Sequence, residues 1–204
     1  MSDVFYTPPA ADPAISSTSQ PPFFTVSQRK LTVMLILTSG LYGLYWGYKH
    51  WSLYKAYSCR SLWPLPRTIF GLLYLPSLFY KVDGLLKDQG KGRMPYWAAS
   101  AAGLTLLAIA PMITGFFSGL VQGLGGRPYS GVGTVLLVAA SVVPFLLYCL
   151  ILRRVQAFIN LLNGDADGSQ NMTFTRWNVL WMVIGSFYWI GGLMFSVSVD
   201  QAYR

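Results

Sequence analysis

Glutamate is missing from this 204-residue chain, histidine occurs once and cysteine twice. Each scarcity removes a class of chemistry. One His and two distant Cys, at positions 59 and 149, cannot assemble a tetrahedral metal site, and they imply no disulfide framework. Charged residues make up only 11% of the chain, against about a quarter in a soluble domain. No G-x-S-x-G, Walker-type loop, H-E-x-x-H or dinucleotide fingerprint occurs in a supporting context. The loop GDADGSQ at 164–170 lacks the full ligand set of a calcium loop and reads as turn chemistry. The sequence therefore nominates no catalytic, cofactor-binding or metal-ligating residue, and the expectation is a protein that is not an enzyme and carries no cofactor.

What the chain has instead is apolar surface: 53% hydrophobic residues and a mean hydropathy of +0.44. Uncharged windows at 31–48, 94–119, 132–152 and 177–199 have the length of membrane-spanning helices. The fold class expected is all-α, a polytopic integral membrane protein with four transmembrane helices plus interfacial amphipathic helices within 50–88 and 153–163. Residues 1–28, rich in Pro, Ser, Thr and Ala, read as a flexible tail before a single helical membrane domain at 29–204. Ser27 is the expected N-cap of the first helix. The uncharged stretch 68–80 is short for a span, is interrupted by Pro76 and reads as an interfacial or re-entrant segment.

The basic surplus, a net charge of +8, would suit nucleic acid or anionic lipid. Beside such long apolar windows the expected partner is membrane lipid with anionic headgroups, not nucleic acid. With four spans, eleven of the fifteen Lys and Arg fall on the side of residues 49–93 and 153–176, and four on the other. Counting 68–80 as a fifth span weakens the division to nine against six. The positive-inside rule then predicts a multi-pass protein of a bacterial cytoplasmic membrane, with basic loops in the cytoplasm and both termini outside.

Three groups of residues stand out. Tyr42, Tyr45, Trp46, Lys49 and Trp51 end the first uncharged window as aromatic rings and a cation, the pattern of an interfacial anchor. The lone His50 sits among them and reads as a headgroup contact. Gly43 and Gly47, then Gly115, Gly119 and Gly123, recur every four residues and mark faces for close helix packing, within the chain or in a homo-oligomer. Arg153, Gln156, Asn160 and Asn163 form one polar ridge after the third window. That ridge either faces water or joins Asn178 in lining a pocket for an anionic headgroup or a partner's backbone.

The stretch 38–51 also carries a resemblance. Val26, Ser27 and Lys30, then Thr38, Gly40, Tyr42, Tyr45, Trp46, Tyr48, Lys49 and Trp51 match the signature V-S-x-x-K followed by T-F-G-x-Y-x-x-Y-W-F-Y-K-N-W. This resembles a family of uncharacterised bacterial inner-membrane proteins, a domain of unknown function. Pro66, Arg67, Ile69 and Phe70 resemble its P-x-R-A-I-F element, and Asn160, Asn163 and Asn178 its later asparagines; Ser39, Gly43, Gly47 and His50 depart from the pattern. The resemblance implies a helical membrane fold and no particular reaction. The functional expectation is a non-catalytic partner or scaffold, or a lipid-organising subunit. The alternative is an oligomeric small-solute transporter or channel, although uncharged spans lack the ionisable groups that hold a coupling ion.

Overall fold

The computed structural model describes residues 20–124 and 132–202. Among these residues seven α-helices follow in order: α1 Gln28–Leu37, α2 Tyr42–Ser58, α3 Pro64–Ile69, α4 Gly71–Asp88, α5 Trp97–Gly123, α6 Val132–Leu162 and α7 Arg176–Ala202. A single 3-10 turn, Ser169–Asn171, precedes α7, and no strand occurs among the described residues. The all-α expectation is met. Two helices, α5 and α6, are long and apolar enough to cross a membrane, and only 11% of each apolar window is buried inside the protein.

The window 31–48 is not one helix. Ser27 caps α1 as expected, its Oγ accepting the Lys30 N–H at 3.2 Å, but α1 stops after ten residues. Ser39 (φ 51°) and Gly40 (φ 86°) both enter the left-handed region. The Gly40 N–H donates to Leu35 O and the Ser39 N–H to Ile36 O, the paired bonds of a Schellman ending. Thr38 Oγ1 donates back to Met34 O and accepts the Tyr42 N–H that opens α2. The break leaves few backbone groups orphaned, so it can stand in an apolar setting.

The chain then doubles back. Phe24, before α1, donates its N–H to His50 on α2, and Gln28 accepts from Arg153 on α6. At the tip, Gly40 lies against Phe145 and Gly43 against Tyr148. Phe145 precedes Arg153 by eight residues, about 12 Å along a helix. The hairpin thus climbs α6 by less than half the usual ~30 Å hydrocarbon thickness.

Helix α4 runs through Pro76, whose ring nitrogen cannot bond the Leu72 carbonyl one turn earlier. Thr105 of α5 supplies a hydroxyl donor to that carbonyl at 3.2 Å. Within α4, Asp83 accepts the Met94 N–H and the Arg93 guanidinium, both at 2.8 Å, fixing the connection into α5. These bonds hold its carboxyl below the usual range, the Arg93 hydrogen bond contributing most. Helix α6 continues without interruption through 153–162, so the expected span and nearly all of the interfacial helix expected at 153–163 are one 31-residue element. Lys91 Nζ covers its C-terminal end by donating to Leu162 O at 2.6 Å.

Two further expectations are corrected. The flexible tail does not extend to residue 28: Phe23, Phe24 and Val26 are buried, and the part of the tail at 1–19 lies outside the described residues. The N-terminal segment also bonds to residues 160–171, so it cannot lie on the membrane face opposite the 163–175 loop, as both termini outside would require.

Candidate functional site

The polar ridge of α6 does not face water. Gln156 and Asn160 are fully buried, and what covers them is the chain's own segment 23–27. Gln156 Nε2 donates to Phe24 O at 2.9 Å and Asn160 Nδ2 to Val26 O at 3.0 Å, while Asn160 Oδ1 accepts the Val26 N–H at 3.4 Å. Asn163 Nδ2 reaches Phe23 O and Thr25 Oγ1, both at 2.7 Å. Asn171 donates to Thr25 O and accepts the Ser27 N–H on its own carbonyl. Side-chain amides thus bond this extended peptide much as a neighbouring strand would.

The i, i+4 spacing of Gln156 and Asn160 stacks the two amides, and Gln156 Nε2 lies 2.7 Å from Asn160 Oδ1. Gln156 Oε1 in turn accepts the indole N–H of Trp46 at 2.6 Å. The interfacial-anchor expectation is therefore corrected for Tyr42, Trp46 and Trp51, all of which are buried in the protein. An indole needs one acceptor, and Gln156 provides it inside the fold. Tyr45 alone among these rings stays about half exposed, and Lys49 lies over the Phe24 ring at 5.8 Å.

His50 is likewise no headgroup contact. It is fully buried beside Trp46, Phe23 and Phe24. Its Nδ1 accepts the Phe24 N–H at 3.3 Å, which fixes the neutral Nε2–H tautomer, and Nε2 has no partner. Burial drives the imidazole pKa down to about 3, against a weaker opposing contribution from Gln156. Lys30, in the first turn of α1, is also buried. It donates to Asn171 Oδ1 and Thr173 O, each at 2.7 Å, and burial lowers its pKa.

Asn178 does not join this cluster. Its Oδ1 accepts from the Thr175 N–H and hydroxyl at the start of α7, a local cap. Arg153 is exposed and, among the described residues, bonds only Gln28. Gln156, Asn160 and Asn163 do gather, but around the chain's own N-terminal segment, with Asn178 and Arg153 outside the cluster. The sequence signal for this was the Phe23-Phe24 pair, two large apolar residues just ahead of the Ser27 cap.

The glycine expectations divide. Gly43 is tight, with a Cβ position 3.3 Å from the Tyr148 hydroxyl, and Gly47 meets Thr68 at ordinary contact distance. Gly115, Gly119 and Gly123 meet nothing within 4 Å among the described residues, so no described helix packs closely on them. The close approaches fall elsewhere: a methyl on Gly185 would overlap Leu37 O and Thr38 Cα, and one on Gly168 would sit 2.5 Å from Ser27 N.

Two cavities flank the hairpin tip. One, of about 450 Å³, lies between the tip, α5, α6 and Trp189; the other, of about 530 Å³, lies between Thr38–Tyr45 and the first turns of α7 at Trp177 and Trp181. Both linings are mainly aliphatic and aromatic. Among the described residues no three His, Cys, Asp or Glu side chains gather into a metal-binding group. No family model, curated protein or solved structure matches this chain.

Proposed function

We propose that this chain is a non-catalytic integral protein of a bacterial cytoplasmic membrane, which organises anionic lipid at its basic end and serves as a scaffold there. The observation that carries this reading is the distribution of charge. If α5, α6 and α7 cross the bilayer while the α1–α2 hairpin and α3–α4 enter from one side only, thirteen of the fifteen cations share one membrane face, leaving only Arg127 and Arg204. The positive-inside rule makes that face cytoplasmic. Arg93–Asp83 is the one ion pair among the described residues, so most of this charge is available to lipid phosphates. Apolar side chains left exposed along α5, α6 and α7, such as Met112, Phe116, Val135, Leu136 and Met194, suit contact with acyl chains. The resemblance of 38–51 to the inner-membrane family supports the same location.

The topology differs from four spans in one testable respect: the N-terminus lies in the cytoplasm and the C-terminus outside. A fluorescent protein fused before Met1 should fluoresce, and alkaline phosphatase fused after Arg204 should be active. The lipid reading is tested by native mass spectrometry of protein extracted in a mild detergent. Retained phosphatidylglycerol or cardiolipin in excess of phosphatidylethanolamine is the expected outcome, and retention in proportion to bulk membrane lipid would sink it.

The transporter alternative rests on the two cavities around a broken helix. Broken helices bind ions through free backbone groups. Here the N–H groups of Tyr42, Gly43 and Leu44 have acceptors within the turn, and only the Ser39 hydroxyl is buried without one. Solute flux in proteoliposomes would favour that alternative.

A further inference from the structure

Arg67 stands apart from the other cations. Its guanidinium carbon lies 4.7 Å from the Trp51 ring centroid and 4.9 Å from that of Tyr74, between α2 and α4. Lys81, two helical turns after Tyr74, places Nζ 5.0 Å from the adjoining Tyr54 ring. The three rings pack edge to face, with Trp51 centred 6.4 Å from Tyr54 and 6.3 Å from Tyr74. Two cations therefore sit on one aromatic platform, and neither has a hydrogen-bond acceptor or carboxylate among the described residues. Ring faces satisfy the charge of a guanidinium in part but leave its in-plane N–H donors unused. The flat fork so held matches two oxygens of a phosphate, and the Lys81 ammonium over the adjoining Tyr54 ring adds a second charge to the platform.

Resting on the lipid reading above, we propose that Arg67 and Lys81 form a specific site for the phosphate of an anionic phospholipid, on the platform of Trp51, Tyr54 and Tyr74. The ring stacking orients the fork before lipid arrives, so less side-chain freedom is lost on binding. Nearby Phe70 and Leu73 are exposed and offer apolar surface to the lipid's acyl chains. Pro64 and Pro66 stiffen the short helix that carries Arg67.

The test uses full-length protein in nanodiscs of phosphatidylcholine with a graded fraction of phosphatidylglycerol, with native mass spectrometry counting retained lipid. Wild type should retain one phosphatidylglycerol per protomer. Arg67→Ala should weaken retention at least tenfold, and Arg67→Lys should also weaken it because the flat fork is lost. Lys81→Ala should weaken it several-fold, and Arg127→Ala should leave it unchanged. Thermal unfolding of each variant separates lost lipid from lost fold; if Arg67→Ala unfolds, Arg67→Lys and Lys81→Ala still decide the matter. A wild type that prefers phosphatidylglycerol while all three variants keep it overturns this site and leaves the broader lipid reading intact. A wild type with no preference overturns both. Inorganic phosphate that displaces the lipid at millimolar concentration, with the same dependence on Arg67, would reassign the site to a soluble phosphate.

Discussion

The last third of α6 and its first two thirds belong to one helix but to different surroundings. Leu152, Val155, Ile159 and Leu162 are buried, and Gln156 and Asn160 between them bond a peptide and an indole. Toward the other end Val132, Val135 and Leu136 are each more than half exposed, with no described segment covering them. The same contrast appears in glycine. At the basic end Gly168 presses on the backbone of residues 26 and 27, whereas on the far half of α5 Gly115, Gly119 and Gly123 meet no described residue within 4 Å. One end is packed by protein, and the other leaves its apolar side chains exposed, for acyl chains to cover on the proposed reading. Substitutions at the first end should therefore cost folding energy, and similar ones at the second should not.

The largest expected effect is at the close-approach glycines. Gly168→Ala places a methyl 2.5 Å from Ser27 N at a φ of 67°, combining overlap with left-handed strain, and should cost roughly 3 kcal/mol. Gly185→Ala should cost a comparable amount through overlap with the Leu37 carbonyl. Denaturant unfolding in detergent reads both, and near-wild-type midpoints would mean that residues 26–27 and α7 are not held against their neighbours as described.

Next comes the amide clamp. Asn160→Ala strips partners from Val26 N–H, Val26 O and Gln156 Nε2, and should cost about 2–3 kcal/mol, the penalty of leaving buried polar groups unpaired. It should also speed hydrogen exchange at Val26. A ridge that faced water would show neither change.

The pH dependence follows from His50. Its folded pKa of about 3 lies below the unfolded value near 6.5, so the unfolded chain binds a proton that the folded chain refuses. The stability from neutral His50 is complete above pH 6.5 and declines as pH falls toward 3, by up to about 1.4 kcal/mol per unit. Asp83, whose pKa is lowered, adds to this loss only below the ordinary carboxylate range near 3.9. Between pH 6.5 and 4.5 His50→Asn should flatten the slope, and an unchanged slope would assign it to another group.

Smaller effects sharpen the comparison. Ser39→Gly removes left-handed strain at φ 51° and should stabilise by about 1 kcal/mol. Gly119→Leu adds bulk where nothing lies within 4 Å and should change monomer stability by less than about 0.5 kcal/mol. A large loss there, with a shift to a smaller species in detergent, would show that a second copy of the chain packs on α5.

Local pattern was enough for several features: the helical class, the start of α1 at its Ser27 cap, the run of apolar residues in α5 and α6, and the concentration of cations near one set of helix ends. These depend on neighbouring residues, because capping, helical period and uncharged length are set within a few turns. The break at Ser39-Gly40 was only half visible, since a Ser-Gly pair inside an apolar run is also compatible with a continuous helix. What closed the turn was Thr38 bonding both ways and Phe145 meeting the tip. The polar ridge shows the limit most clearly. Spacing established that Gln156, Asn160 and Asn163 share a face, but an amide is satisfied equally by water, a headgroup or another peptide. Which of these it meets depends on where residues 23–27 lie, more than 130 positions away in the chain. The same holds for Gly168 and Gly185 against Gly119. Sequence shows that each lacks a side chain, and only the tertiary fold decides whether another backbone occupies the space.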